Sequence, residues 1–345
     1  MIELLPEERE LSTTGGVIAL ANLQAQIDGL AARAYRADRG QTAAPSPPLA
    51  APQQAVLVDL LTLRGHVLGR IADYELAAEL AERLVGDAPE GSVPLLARAR
   101  ARATFHRFSE ALADLDAAGR SGSDRATLDG ERATILQAIG RYDDALVLRR
   151  NAAERRPGFT TLGALGVLQA ERGQVTAAER LFAGARRSYR GVSPFPVASL
   201  DFQHGLVRLK QGDLRAARLW FDAARRRVPG YAPAVGHLAE VDAALGDRQT
   251  AIDRLRSLAV TSDDPEYTAT LAGLLRDAGH TREAGRWRAS AAARYDELVS
   301  RHPEAFADHA ADFWLTVGGD TQRGLQLARR AREMRQTAAS LSGNV

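Results

Sequence analysis

The chain has 345 residues, 45% of them hydrophobic and 26% charged, with a formal net charge of +2. That balance excludes wholesale disorder, and the absence of cysteine excludes disulfides, thiolate–metal sites and a cysteine nucleophile. Lys210 is the only lysine, and acidic residues are interleaved with the arginines, so a one-sided stripe tracking a phosphate backbone is not expected.

In chain order, the start (Met1-Ile2-Glu3-Leu4-Leu5-Pro6-Glu7-Glu8) lacks the basic-then-apolar order of a signal peptide. No run of about 18 apolar residues follows, so a cytoplasmic protein with no membrane or nucleic-acid partner is the expectation. Residues 1–40 read as a helical appendage, because Leu20, Leu23, Ile27, Leu30 and Ala34 recur at helical spacing. Residues 41–57, with Pro45, Pro47, Pro48 and Pro52, read as a Pro/Ala-rich linker. The appendage either caps an open end of the following structure, the preferred reading, or reaches a partner on that linker.

From residue 58 the sequence repeats itself. Tyr74, Phe108 and Tyr142 lie 34 residues apart, each opening a similar phrase that ends in Ala77, Ala111 or Ala145. Further on, a glycine followed five residues later by a small residue returns as Gly140/Ala145, Gly173/Ala178, Gly212/Ala217, Gly246/Ala251, Gly279/Ala284 and Gly319/Gly324. Spacings of 33, 39, 34, 33 and 40 residues describe one repeat with two insertions. Within each unit two helical patterns are split by a glycine suited to a left-handed turn. One insertion, Gly191 to Pro196, reads as a loop; the other lengthens a helix over Thr281–Arg301.

The pattern resembles the tetratricopeptide repeat (TPR) family. Its small position in the first helix matches Gly65, Ala99, Ala133, Gly166, Gly205, Ala239 and Ala272. Its first alanine of the second helix matches Ala77, Ala111, Ala145, Ala178, Ala217, Ala251 and Ala284. The aromatic near the start of the first helix is missing throughout, so the repeats are degenerate. The resemblance implies an all-α, right-handed superhelical solenoid of about eight helix hairpins over residues 58–338, with the N-terminal appendage before it and a disordered tail at 339–345.

It also implies a partner groove lined by the first helices. The candidates are Arg64, His66, Arg98, Arg100, Glu131, Arg132, Thr134, Gln137, Phe202, Gln203, Lys210, His237, Glu240, His309 and Phe313. Arg64, Arg98 and Arg132 recur every 34 residues. They form either a row of guanidinium forks for a partner's carboxylates or phosphates, or stems covering packed helices and balanced by Glu82, Asp116 or Glu131. Gly130, Gly163 and Gly236 share one groove phase, for close packing or for a closely approaching ligand. A basic N-terminal half and a more apolar middle would suit an extended partner protein or peptide with an acidic segment.

Chemistry is less visible. His204, His237 and His309, with Asp201, Glu240, Asp308 and Asp312, are the only set resembling a metal constellation, and a polar groove wall explains them better; no metal or cofactor is expected. No nucleophile elbow, Walker loop or dinucleotide loop occurs, so no catalytic residue is assigned. A scaffold or adaptor that binds a protein segment is the expected function. The alternative is a small-molecule-binding regulator, or an enzyme, with its ligand enclosed by the superhelix. Self-association through Trp314 and the Thr281–Arg301 helix is a further option.

Overall fold

A computed structural model describes residues 11–38 and 49–341; the first ten residues, the first eight residues of the expected linker and the end of the expected tail lie outside that range. The described residues form seventeen α-helices and no strand. After α1 (Gly16–Asp38) come eight hairpins: α2 (Ala51–Leu68) with α3 (Ile71–Asp87), α4 (Ser92–Thr104) with α5 (Phe108–Arg120), α6 (Arg125–Ala138) with α7 (Tyr142–Arg155), and α8 (Phe159–Glu171) with α9 (Val175–Ser188). They continue as α10 (Pro194–Lys210) with α11 (Leu214–Arg227), α12 (Ala232–Ala244) with α13 (Arg248–Thr261), α14 (Pro265–Asp277) with α15 (Thr281–Arg301), and α16 (Pro303–Leu315) with α17 (Thr321–Leu341).

Two expectations are corrected at helix starts. The stretch assigned to the linker is helical from Ala51, since Pro52 falls in the first turn, where its missing N–H would be unpaired anyway. The Gly191–Pro196 loop is shorter than expected for the same reason: Pro194 opens α10 with Ser193 before it. The second insertion does extend one helix, which runs from Thr281 to Arg301.

Each hairpin turns through a residue with positive φ. Gly69, Gly140, Gly173, Gly212, Gly246, Gly279 and Gly319 take this conformation between first and second helices; His106, with φ 58°, takes it in the α4–α5 turn. Glycine reaches the left-handed region without a Cβ clash, whereas a histidine there is uncommon. Asp213, Asp247 and Asp264 then cap α11, α13 and α14 by accepting from the backbone N–H of Ala216, Thr250 and Glu266.

The small repeat positions are where two helices of a hairpin touch. Ala111, Ala145, Ala178, Ala217 and Ala251 are fully buried. Where the first helix has glycine, the second fills the space with an aromatic ring. A Cβ added to Gly65, Gly166 or Gly205 would lie 2.8, 2.6 or 2.4 Å from the ring of Tyr74, Phe182 or Phe221. Where the first helix has alanine, as at Ala99 and Ala239, the core holds Leu115 and Leu255 instead. At Gly166/Phe182 and Gly205/Phe221 the two positions thus trade volume at native packing density, and burying each of these phenylalanine rings is worth about 1.5–3 kcal/mol.

Contacts divide the chain into two compact units. One comprises Met1–Leu20, Val67–Gly69 and Leu136–Arg294; the other comprises Ala21–His66, Arg70–Ile135 and Tyr295–Val345, each over its described residues. In the first, Gly16 at the start of α1 lies against Arg227, Val228 and Pro229, and Thr14 N–H donates to the Val192 carbonyl at 2.8 Å. In the second, the C-terminal hairpin packs on the N-terminal repeats. There Arg301 and His302 both reach Glu75, at 2.8 and 3.1 Å, and the His302 ring stacks on Phe105 at 3.9 Å.

Four of the six buried polar residues are aspartates, and each is bound by arginine. Asp73 takes both forks of Arg64, at 2.6 and 2.7 Å. Asp114 takes Arg98 and Arg102. Asp201 on α10 is shared by Arg186 of α9 and Arg227 of α11. Asp242 on α12 is shared by Arg218 of α11, at 2.5 Å, and Arg254 of α13, at 2.8 Å. A buried carboxylate needs this compensation, and the last two ion clusters tie successive hairpins together. Burial and the Arg227 charge lower the Arg186 pKa to about 10.

Candidate partner-binding surface

The expected groove residues sit on first helices. Arg64 and His66 lie on α2, Arg98 and Arg100 on α4, and Glu131, Arg132, Thr134 and Gln137 on α6. Phe202, Gln203 and Lys210 lie on α10, His237 and Glu240 on α12, and His309 and Phe313 on α16. Their surroundings divide them into three groups.

The first group is committed within the chain. Arg64 is held by Asp73 and also donates to Gln24 of α1 at 2.7 Å. Arg98 bonds Asp114 and Glu82, and Arg132 bonds Asp116 at 2.6 Å. The three equal-phase arginines are largely covered, at 12, 19 and 26% side-chain exposure. Their partners are in phase only in part: Arg64 and Arg98 reach the second helix of their own hairpin, at Asp73 and Asp114, while Arg98 and Arg132 both reach back 16 residues to the preceding second helix, at Glu82 and Asp116. Two of the balancing acids, Glu82 and Asp116, are those the sequence suggested.

Phe202 and Phe313 form a second, buried group. Phe202 packs among Phe221, Tyr231 and His237, and Phe313 against Tyr295 and Trp314. His204, also buried, is sandwiched between Phe182 and Trp220, and burial followed by the Arg186 and Arg208 charges lowers its pKa to about 3. It is a neutral packing residue. Among the described residues no group of three or more His, Asp or Glu side chains is placed to hold a metal ion.

The third group remains at the surface. In the unit holding α2, α4 and α6, Arg100 joins three successive first helices: its Nε donates to Glu131 of α6 at 2.6 Å and its Nη1 to Asp59 of α2 at 3.0 Å. Asp59, Arg100 and Glu131 retain 50, 32 and 29% side-chain exposure. Burial raises the Asp59 pKa, Arg100 opposes it, and the nearby Glu131 charge adds to the rise. Val56 and Val93, exposed on the same helix faces, and the exposed His66 and Thr134 extend this surface. Asp59 was not among the expected residues; it lies one turn before Leu63 on the exposed side of α2, and its 41-residue separation from Arg100 carries no signal in sequence.

In the other unit, His237 and Glu240 pair along α12 at 2.8 Å. Burial acts against His237 protonation, but the Glu240 bond and charge prevail and raise its pKa. Gln203 is half-buried and Lys210 exposed. Of the three groove-phase glycines, packing explains Gly236, whose added Cβ would lie 2.7 Å from the Tyr267 ring. Gly163 has ordinary room and Gly130 faces open space.

No protein-family model and no curated protein sequence matches the chain. Solved structures do. Human IFIT1, determined as a dimer with PPP-AAAA, aligns at a TM-score of 0.56 and 15% identity, over 88% of this chain and 77% of that one. A chain of the APC/C hetero-tetramer Cut9–Hcn1 aligns at 0.49 and 17% identity, over 89% of this chain and 52% of that one, so this chain spans about half its length. A tetratricopeptide repeat protein from Parabacteroides merdae aligns at 0.45 and 14% identity, over 80% of this chain and 98% of that one.

At such identities the likeness is one of fold alone. The class is that of helical-repeat proteins, in which each hairpin buries its apolar face only against its neighbours. Within that class the fold is the tetratricopeptide type, an all-α superhelical repeat whose small and large positions recur as described above.

Proposed function

We propose that the chain is a scaffold or adaptor that holds a partner protein through an extended segment laid along first helices of its repeats. The observation that carries this is the Asp59–Arg100–Glu131 bridge, which makes one continuous, part-exposed polar face from three successive repeats. Exposed Val56 and Val93 beside it offer apolar contact. A surface of aligned helices, polar groups and small apolar patches reads main chain and alternate side chains of an extended ligand. The Glu/Asp excess over Arg100 makes this face mildly acidic, so the acidic segment expected from the arginine row is not assigned here.

The test is co-isolation from native extract with a tagged chain and a Thr134→Arg/His66→Glu variant. A stoichiometric protein retained by the parent and lost by the variant is expected; a protein retained equally by both would overturn the assignment to this face.

One observation favours a second reading, a small amphipathic ligand beside α1. A cavity of about 370 Å³ there is lined by Ile27, Leu49, Leu57, Leu61 and Leu80 together with Arg83. The same isolation, analysed by native mass spectrometry, separates the readings, because this one predicts a bound small molecule and no stoichiometric protein.

A further inference from the structure

The arginines are not spread evenly after all. Residues 175–227, spanning α9, α10 and α11, hold eleven basic and four acidic side chains, a net +7 in a chain whose total is +2. The rest of the protein is therefore net acidic, and the surplus sits on two second helices that flank α10 within one unit.

Much of this surplus faces solvent. Arg180, Arg187, Arg190, Arg215 and Arg226 are all exposed. Arg180 donates only to a backbone carbonyl of its own helix, and Arg190 only to those of Arg187 and Tyr189. Arg187 and Arg215 make no ion pair among the described residues, and Arg226 is offset by Asp222 at 3.2 Å with 53% of its side chain still exposed. The buried alanines Ala178 and Ala217 set the phase. Arg187 and Arg226 each come nine residues after them, while Arg180 on α9 follows Ala178 by two residues and Arg215 on α11 precedes Ala217 by two, offsets that fall on the same outward side of a helix. Equal phases on stacked repeats share one face, so these guanidiniums form a single outward patch on the second helices of their unit.

We infer that this outer face of α9 and α11 docks an acidic segment of a partner protein that also carries a bulky apolar side chain. The charge of the patch selects carboxylates, which arginine forks take in pairs. The apolar requirement comes from Leu219, one turn after Arg215 on the same stripe, with 42% exposure amid the arginines. A phosphodiester backbone would leave Leu219 uncovered. The exposed part of the patch also has no aromatic platform for bases: Trp220 and Phe221 are turned into the core, and Tyr189 is half-buried with its hydroxyl donating to the Ser193 carbonyl. The inference does not depend on whether the first-helix face binds anything.

The experiment is fluorescence anisotropy of the full chain with three labelled probes: a peptide alternating glutamate and leucine, the same peptide with glutamine for glutamate, and a short oligodeoxythymidine. The Glu–Leu peptide should bind and weaken with added salt, the glutamine peptide should not bind, and the oligonucleotide should bind more weakly than the Glu–Leu peptide. Arg187→Glu/Arg215→Glu should weaken Glu–Leu binding at least about tenfold, and Leu219→Ser should weaken it severalfold, with helical circular dichroism confirming that both variants fold. Failure of the Glu–Leu peptide to bind, binding unaffected by the arginine variant, or tighter oligonucleotide binding indifferent to Leu219→Ser would overturn the inference.

Discussion

At the residue scale, the buried aspartates are the most consequential single positions. Asp242 is fully buried between Arg218 and Arg254, so Asp242→Ala leaves two guanidiniums without their shared anion. A loss of about 3–5 kcal/mol is expected by urea unfolding, against about 1 kcal/mol or less for Arg218→Ala, whose side chain is 42% exposed. Equal losses for the two would show that Asp242 is not the hub. The glycines separate by the space around them. Gly130→Ala should stabilise by about 1 kcal/mol, because its helix gains alanine's propensity and nothing obstructs the Cβ. Gly236→Ala should cost about 1–3 kcal/mol by overpacking Tyr267. Paired thermal melts check both signs. Sequence alone gave these three glycines one phase and one question; their neighbours lie on other helices, which is why the answers differ.

At the scale of elements, helix limits follow from local chemistry and could be read in advance. The turn glycines, the capping aspartates and the buried alanines all act within one hairpin, and the eight hairpins of the described chain match the 34-residue phase. What acts between hairpins could be read only in part. The arginines at 64, 98 and 132 are identical in phase, and Glu82 and Asp116 answer Arg98 and Arg132 in phase, yet Asp73 and Asp114 answer Arg64 and Arg98 from unequal positions, because partner choice depends on which carboxylates neighbouring helices present. The exposed base of α9 and α11 was hidden in the same way: interleaved acids such as Asp201 are buried and consumed, leaving arginine outside. The contact between α16 and the N-terminal repeats has a pH dependence that follows from His302. Its burial lowers the pKa, against the opposing pull of Glu75, so the folded contact holds the ring neutral where the unfolded chain already binds a proton. Its contribution is complete above about 6.5, the ordinary histidine value, and is lost as pH falls through the depressed folded-state value. Amide exchange in α16 and α17, corrected for intrinsic rates, should therefore be faster at pH 5 than at pH 7.5. His302→Phe, which keeps the stack on Phe105, should remove most of that difference; an unchanged difference would assign it elsewhere.

At the scale of the whole molecule, a repeat protein derives stability from neighbouring hairpins and offers function on the faces left over. Here one face crosses three first helices through Arg100, and the second helices of the fourth and fifth hairpins carry concentrated positive charge. Fold and repeat register were legible because many copies agree; of the proposed partner face, helical phase named His66, Arg100, Glu131 and Thr134 but not Asp59, because a face is defined by side chains that repeats do not share. The central claim, that a protein segment lies along the first helices, is tested most directly by hydrogen exchange on the co-isolated complex. The account predicts protection on α2, α4 and α6 that is absent from the free chain and from the Thr134→Arg/His66→Glu variant. Protection confined to second helices, or none at all on α2, α4 and α6, would contradict it.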